Sequence, residues 1–272
     1  MLNVTNVETL VKELWNEGRT FVPFDHSLVL EHRELYEQFL QRRDKSKDHG
    51  KWSFTHPHEH ESDVGLILPR PGKDQKFSFH YNHYFQHCQY RYLRKVSKDD
   101  TYFLRVSYYL YAEAASLVSM ICGEMDKQFG LDTLSSFRES IVDFPAYSIS
   151  TLRSLYYSDK VGKDVSKPHV DRDFITTQFG GKYGKLLQLE GKDDDRGVDI
   201  SPQPGEAVVF FGVKSLWATH GKKGPMWHCA TTDNGKSRSA TVFFGHIDVP
   251  DYKVVDAGEA YQYYCDHNAE NT

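Results

Sequence analysis

Apolar side chains fall into two different rhythms along this chain, and the change comes near residue 145. In the first part they recur at three- and four-residue steps. Val4, Val7, Leu10, Val11 and Leu14 share one helical face, so the spacing predicts a helix over 4–17. Thr5 followed three positions later by Glu8 predicts a capping box at its start. FVPF at 21–24 reads as a short strand, and a helical pattern resumes over 28–42. Gly50 closes a charged stretch, and residues 51–75, dense in His, Pro, Gly and charge, predict loop. The longest helix is expected over 101–130, where Leu104, Tyr108, Tyr111, Ala115, Val118, Ile121 and Met125 form one stripe. Beyond 145, short apolar runs such as LRSLYY, FITTQF, LLQL, EAVVFF and SATVFF alternate with turn signals such as GGKYG, PQPG and DNGKS. Many short strands at that spacing predict a sandwich or barrel. The expected architecture is mainly β with flanking helices: one domain over 1–272, with a helical part over 1–145 and a β-core over 146–250.

Composition narrows the partners. A net charge of -5 offers no basic stripe for a nucleic acid or an acidic lipid surface. Aromatics reach 14%, which suits a β-rich core and a pocket closing around a small organic molecule. The cysteines Cys88, Cys122, Cys229 and Cys265 form no C-x-x-C pair and are irregularly spaced, so no disulfide framework is expected in a chain this long. The amphipathic, acid-containing start has no apolar leader region, and no apolar run approaches the ~18 residues of a membrane span. A soluble, cytoplasmic protein is the expectation; oligomeric state is not legible.

The candidate chemistry centres on His169-Val170-Asp171 and on His228, 57 positions after Asp171 (228 minus 171). Two imidazoles and one carboxylate hold a non-heme ferrous ion on one face and leave the opposite positions open. Taken singly, each would be an ordinary core histidine or surface carboxylate. Other histidines are weaker candidates. His56, His58 and His60 alternate in what reads as a solvated loop. His80, His83 and His87 lie among Tyr81, Tyr84 and Phe85, where packing competes with ligand contact. Arg172, following the ligand pair, is a candidate for a substrate carboxylate. Cys229 should face away from His228 on a strand, and DDDR at 193–196 reads as a solvated turn.

From residue 150 onward the pieces occur in the order of a known family. LRSLYYS at 152–158 is similar to its R-L-N-Y-Y-P strand, and PHVDRDFITTQF at 168–179 to its H-T-D segment with the strand that follows. GKLLQL at 184–189, PQPGEAVVFFG at 202–212 and the ungapped spacing from Phe211 to His228 continue the match. SRSATVFF at 237–244 is similar to the R-x-S-x-x-F-F ending. The chain thus resembles the isopenicillin N synthase-like iron(II)- and 2-oxoglutarate-dependent oxygenases, more loosely over residues 20–150.

The resemblance implies a double-stranded β-helix (jelly-roll) core with amino-terminal helices. It implies His169, Asp171 and His228 as Fe(II) ligands, and 2-oxoglutarate and O2 as co-substrates. Arg238 would grip the distal carboxylate of 2-oxoglutarate, and Tyr157 would donate a hydroxyl to it. His80, Tyr81 and His83 would lie near a small-molecule substrate. A carboxylate at 171 implies hydroxylation, desaturation or ring closure rather than halogenation. Departures bear on the co-substrate and substrate. The family's serine two residues after the arginine is Ala240 here, and Ser239 and Thr241 have the wrong strand parity to replace it. Leu155, Val213 and His220 also stand where the family has other residues. An iron oxidase of the same fold that needs no 2-oxo acid, and a non-catalytic metal-binding jelly roll, are the alternatives.

Overall fold

The computed structural model describes residues 6–43, 49–55, 63–69, 76–92, 96–141, 149–158, 164–194, 196–232 and 236–248. Helix α1 (Val7–Glu17) starts at Asn6, whose side chain accepts the Thr9 N–H, and stops at Gly18 in the left-handed region. The cap is therefore Asn6 rather than Thr5, which lies outside the described residues; an Asn carboxamide reaches the orphan N–H groups as a threonine hydroxyl does. Strand β1 (Arg19–Pro23) follows, then α2 (His26–Gln41), capped by Asp25 onto the N–H groups of Ser27 and Leu28. Next come α3 (His49–Trp52), β2 (Ser53–Thr55), β3 (Asp63–Ile67), β4 (Lys76–Tyr81) and α4 (His83–Tyr92). The long helix α5 (Lys98–Phe129) and α6 (Thr133–Ser140) complete the amino-terminal part. The second part holds β5 (Thr151–Tyr157), β6 (Asp164–His169), β7 (Ile175–Lys182), β8 (Leu186–Gln188), β9 (Val198–Asp199), β10 (Glu206–Phe211), α7 (Ser215–Ala218), β11 (His228–Thr231) and β12 (Arg238–Gly245).

These strands form two antiparallel sheets. The larger runs β1-β10-β7-β12-β5-β4-β3-β2 and the smaller β6-β11-β8-β9. Together they make a jelly-roll core. Strand alternation gives the large sheet two working faces. Leu152, Phe179, Val209 and Phe243 join the main core with α2 and α5, whose buried residues include Phe39, Phe103, Leu110 and Val118. Leu155, Tyr157, Ala240, Val242 and Phe244 cluster on the other face, as do Val208 and Phe210 with Met226 and Ile200. That second face is the inner one, toward the small sheet.

The structure departs from the sequence reading in three places. The segment expected to be loop over 51–75 contributes α3, β2 and β3, and His56, His58 and His60 lie outside the described residues. Gly65 explains how β3 fits: its φ is +89°, and a Cβ there would meet the Trp52 carbonyl oxygen at 1.7 Å. Before residue 145 the described residues supply, besides the strand expected at FVPF (β1), the further strands β2 to β4. All of these strands are short and lie toward the ends of the large sheet, so they leave little periodicity to detect. On α5, Tyr108 leaves the expected stripe: it is 37% exposed, and Ser107 takes the buried position. An unbroken helix puts 103, 107, 110, 114 and 118 on one face.

Candidate metal centre

The three predicted ligands converge. His169 ends β6 and His228 opens β11, and the antiparallel register sets them directly opposite one another. Their ring centroids are 4.3 Å apart. Asp171 lies two residues beyond β6, in a bend held to the chain after β10 by a bond from the Val213 N–H to the Asp171 carbonyl (2.8 Å). His169 Nε2 is 3.7 Å from Asp171 Oδ1, and His228 Nε2 is 3.6 Å from Asp171 Oδ2. Ligand atoms from all three lie within 4.8 Å of one another, a spacing one metal ion can bridge.

Neighbouring groups fix which atoms can ligate. His169 Nδ1 is 2.8 Å from the Lys167 carbonyl, and His228 Nδ1 is 3.1 Å from the Met226 carbonyl. A carbonyl only accepts, so each Nδ1 is the donor to it, and each Nε2 is the nitrogen turned toward the Asp171 carboxylate and placed to meet a metal. Thr176 donates its hydroxyl to Asp171 Oδ2 at 2.7 Å. Burial pushes the His228 pKa below the ordinary imidazole value, although the Asp171 charge opposes the shift, so the ring is neutral near pH 7. The site is asymmetric. The His228 side chain is 6% exposed and packs on Phe210, whereas the His169 side chain is 44% exposed. Val170, Leu189, Val213, Leu216 and Trp227 form a small apolar cluster beside the ligands, with Cys229 against it.

Arg238 and Tyr157 are cross-strand partners, the first residue of β12 and the last of β5. Both are buried, and the guanidinium carbon lies 5.7 Å from the tyrosine ring centroid. Arg238 Nε is shut off from solvent and has no hydrogen-bond partner among the described residues. Burial pulls the Arg238 pKa down, with Tyr157 opposing. Gly184 makes the room: a Cβ there would lie 2.7 Å from Arg238 Cδ and 2.2 Å from the Thr231 carbonyl. Ala240 continues the same face and brings no hydroxyl. Ser239 and Thr241 point the other way, Ser239 Oγ donating to Glu37 Oε1 at 2.9 Å and Thr241 Oγ1 lying 3.5 Å from His32 Nδ1.

The remaining candidates separate. His80 is buried on the inner face, directly across from Arg153. Tyr81 points to the helix side, with its ring near Phe85 and Tyr111. His83 sits edge-on to Tyr111 at 5.2 Å. Successive β-residues face opposite ways, so Tyr81 cannot share the His80 surface, and His83 has left the strand for α4. Neither joins the inner face. Arg172 is exposed in the bend after Asp171.

Sequence reasoning passed over Arg153. It shares a strand face with Leu155 and Tyr157, and its guanidinium carbon sits 4.5 Å from the Phe244 ring centroid. Two-residue alternation back from Tyr157 was the available signal. Asp173, His246 and Lys214 were also missed. Burial pushes the Asp173 carboxyl up, but its bond to His246 and the charges of His246, Lys214 and Arg153 outweigh this and hold it below the usual carboxylate range. Lys214 Nζ donates to the Ile247 carbonyl at 2.8 Å. Nothing in the spacing of these residues foretells their meeting.

No protein-family model and no curated protein matches the sequence. Solved structures do match it in fold. A full-length Neurospora crassa protein in complex with alpha-KG and thymine superposes with a TM-score of 0.66 at 14% identity, covering 97% of this chain and 92% of that one. The dioxygenase for auxin oxidation in rice gives 0.67 at 17% identity, over 98% and 90% of the two chains. JOX2 in complex with 2OG, Fe and JA gives 0.64 at 17% identity, over 90% and 73%. The chain therefore has the fold of 2-oxoglutarate- and iron-dependent oxygenases. At these identities the chemistry has to be argued from its own residues.

Proposed function

We propose that this protein is a non-heme Fe(II)- and 2-oxoglutarate-dependent oxygenase that oxidises a small organic molecule. The observation that carries the reading is a joint one. Two imidazoles and a carboxylate meet at ligand spacing, and the inner face of the same core holds a buried arginine with an unmet donor. The donor set fits ferrous iron, with borderline imidazole nitrogens and one hard oxygen. Similarity of fold to proteins complexed with alpha-KG, and with 2OG and Fe, supports the same reading.

His169, Asp171 and His228 would hold the metal, their geometry kept by the Lys167 and Met226 carbonyls and the Thr176 hydroxyl. When bound, the metal supplies activation of O2 coupled to oxidative decarboxylation of the 2-oxo acid to succinate and CO2. Arg238 would bind and orient the distal carboxylate of 2-oxoglutarate. A guanidinium fork suits that contact, and an uncompensated buried cation is costly without it. Tyr157 flanks the same position. Phe210 packs on the buried His228 and the cluster around Trp227 lies beside it, so that side of the site is apolar.

The test is succinate release from 2-oxoglutarate by the Fe(II)-loaded protein in air. Release well above that of a His228→Ala protein is expected. Equal release by both would refute the proposal, and O2 uptake that persists undiminished without 2-oxoglutarate would favour the iron oxidase.

A further inference from the structure

The inner face of the large sheet carries a second arginine, and the co-substrate leaves it unused. Arg153 lies in β5 opposite Val242 of β12 and His80 of β4. Its guanidinium rests over the Phe244 ring. Its Nε is closed off from solvent and has no hydrogen-bond partner among the described residues. Asp173 is close enough to feel its charge, but that carboxylate is already bonded to His246. That Nε lacks an acceptor among the described residues, while the side chain as a whole is half-buried and can be reached by a ligand.

Its position points at the metal centre. Phe244, beneath the guanidinium, is the cross-strand partner of Thr176, and Thr176 donates to the metal-ligating Asp171. Arg153 therefore stands one side chain away from the ligand set. Arg238 cannot serve this position. It lies four residues along β12 from Val242, the cross-strand neighbour of Arg153, so one carboxylate does not meet both guanidiniums. Between the two arginines this face carries the apolar strip Leu155, Ala240, Val242 and Phe244, bordered by Ser78 and Gln178 on the neighbouring strands.

We infer that Arg153 binds the carboxylate of the substrate, and that the substrate is an organic acid with an apolar body. This rests on the oxygenase reading above, and it assigns the two arginines separately, Arg238 to the 2-oxo acid and Arg153 to the molecule oxidised.

The experiment uses the Fe(II)- and 2-oxoglutarate-loaded protein without oxygen. Phenylacetate, 3-phenylpropionate and octanoate are titrated by calorimetry beside their primary amides, which keep the shape and lose the charge. At least one acid is expected to bind about tenfold more tightly than its amide, the scale of one charge-assisted contact. In Arg153→Gln that preference should fall to near unity, while 2-oxoglutarate affinity stays within about twofold; Arg153→Lys, which keeps the charge and guards against a folding defect, should retain part of the preference. The inference is overturned if no acid binds more tightly than its amide, or if the preference survives in Arg153→Gln. Failure of the oxygenase reading looks different: 2-oxoglutarate would bind the metal-loaded wild type and Arg238→Gln equally.

Discussion

Arginine and histidine do opposite things when buried in this protein. A guanidinium keeps its charge and demands an acceptor, whereas an imidazole surrenders its proton. Arg238 is the first case. Removing one partner of a buried charge pair costs roughly 2–5 kcal/mol. Arg238→Leu is therefore expected to raise the KM for 2-oxoglutarate by at least about thirtyfold, with Fe(II) affinity nearly unchanged; initial rates of succinate formation check this. His32 is the second case. Fully buried between α2 and the large sheet, near Ser154 and Thr241, it has its pKa lowered by burial from 6.5 to about 3. The unfolded chain takes up that proton below pH 6.5 and the folded chain does not. Wild-type stability relative to His32→Asn should thus be constant above pH 6.5 and decline by up to about 1.4 kcal/mol per pH unit down to about pH 3. Urea unfolding at pH 7, 5.5 and 4.5 measures it, and parallel profiles would contradict the buried neutral ring. The three candidate ligands, which the fold brings together, were legible at this scale because coordination restricts the residue types. Arg153 was passed over, although two-residue alternation back from Tyr157 puts it on the same face.

At the level of elements, the bend after β6 depends on the turn after β10. The Gly212 N–H bonds the Phe174 carbonyl at 2.9 Å, the Val213 N–H bonds the Asp171 carbonyl, and the Lys214 N–H bonds the Asp173 carbonyl at 3.2 Å. A Cβ on Gly212 would stand 2.1 Å from the Asp173 carbonyl oxygen and 3.0 Å from that of Asp171. Gly212→Ala should displace the bend and weaken metal binding by about 10–100-fold, the scale seen when groups supporting metal ligands are lost. Calorimetric titration with Fe(II) checks this, and unchanged affinity would show that the bend is set elsewhere. Legibility also varied by element. The helix α5 declared itself through more than thirty residues of one-sided burial. In contrast, β2 and β3 are three and five residues long, and polar loop composition around them hides the alternation.

Over the whole molecule, the two rhythms of the sequence turn out to share one sheet. β4, from the helical part, pairs with β5 from Lys76 opposite Tyr157 to Tyr81 opposite Leu152, and β1 pairs with β10 at the other side. Pairings between segments so distant in sequence are decided by collapse of the whole chain, so local patterning gave a sandwich or barrel, the family resemblance implied the jelly roll, and neither gave the strand order. Because Asp171, His169 and His228 meet only in the folded state, metal should stabilise it by mass action. Ferrous ion at a hundred times its Kd is expected to add about 2.7 kcal/mol, and a chelator should remove that gain. A melting temperature indifferent to both would count against a formed site.

The most direct test of the central claim is anaerobic titration of the metal-free protein with Fe(II), followed by calorimetry, for wild type and for His169→Ala, Asp171→Ala and His228→Ala. One ion per chain in the wild type, with that binding lost or sharply weakened in each variant, is the predicted result. Binding of equal stoichiometry and affinity in any one of the three variants would contradict it.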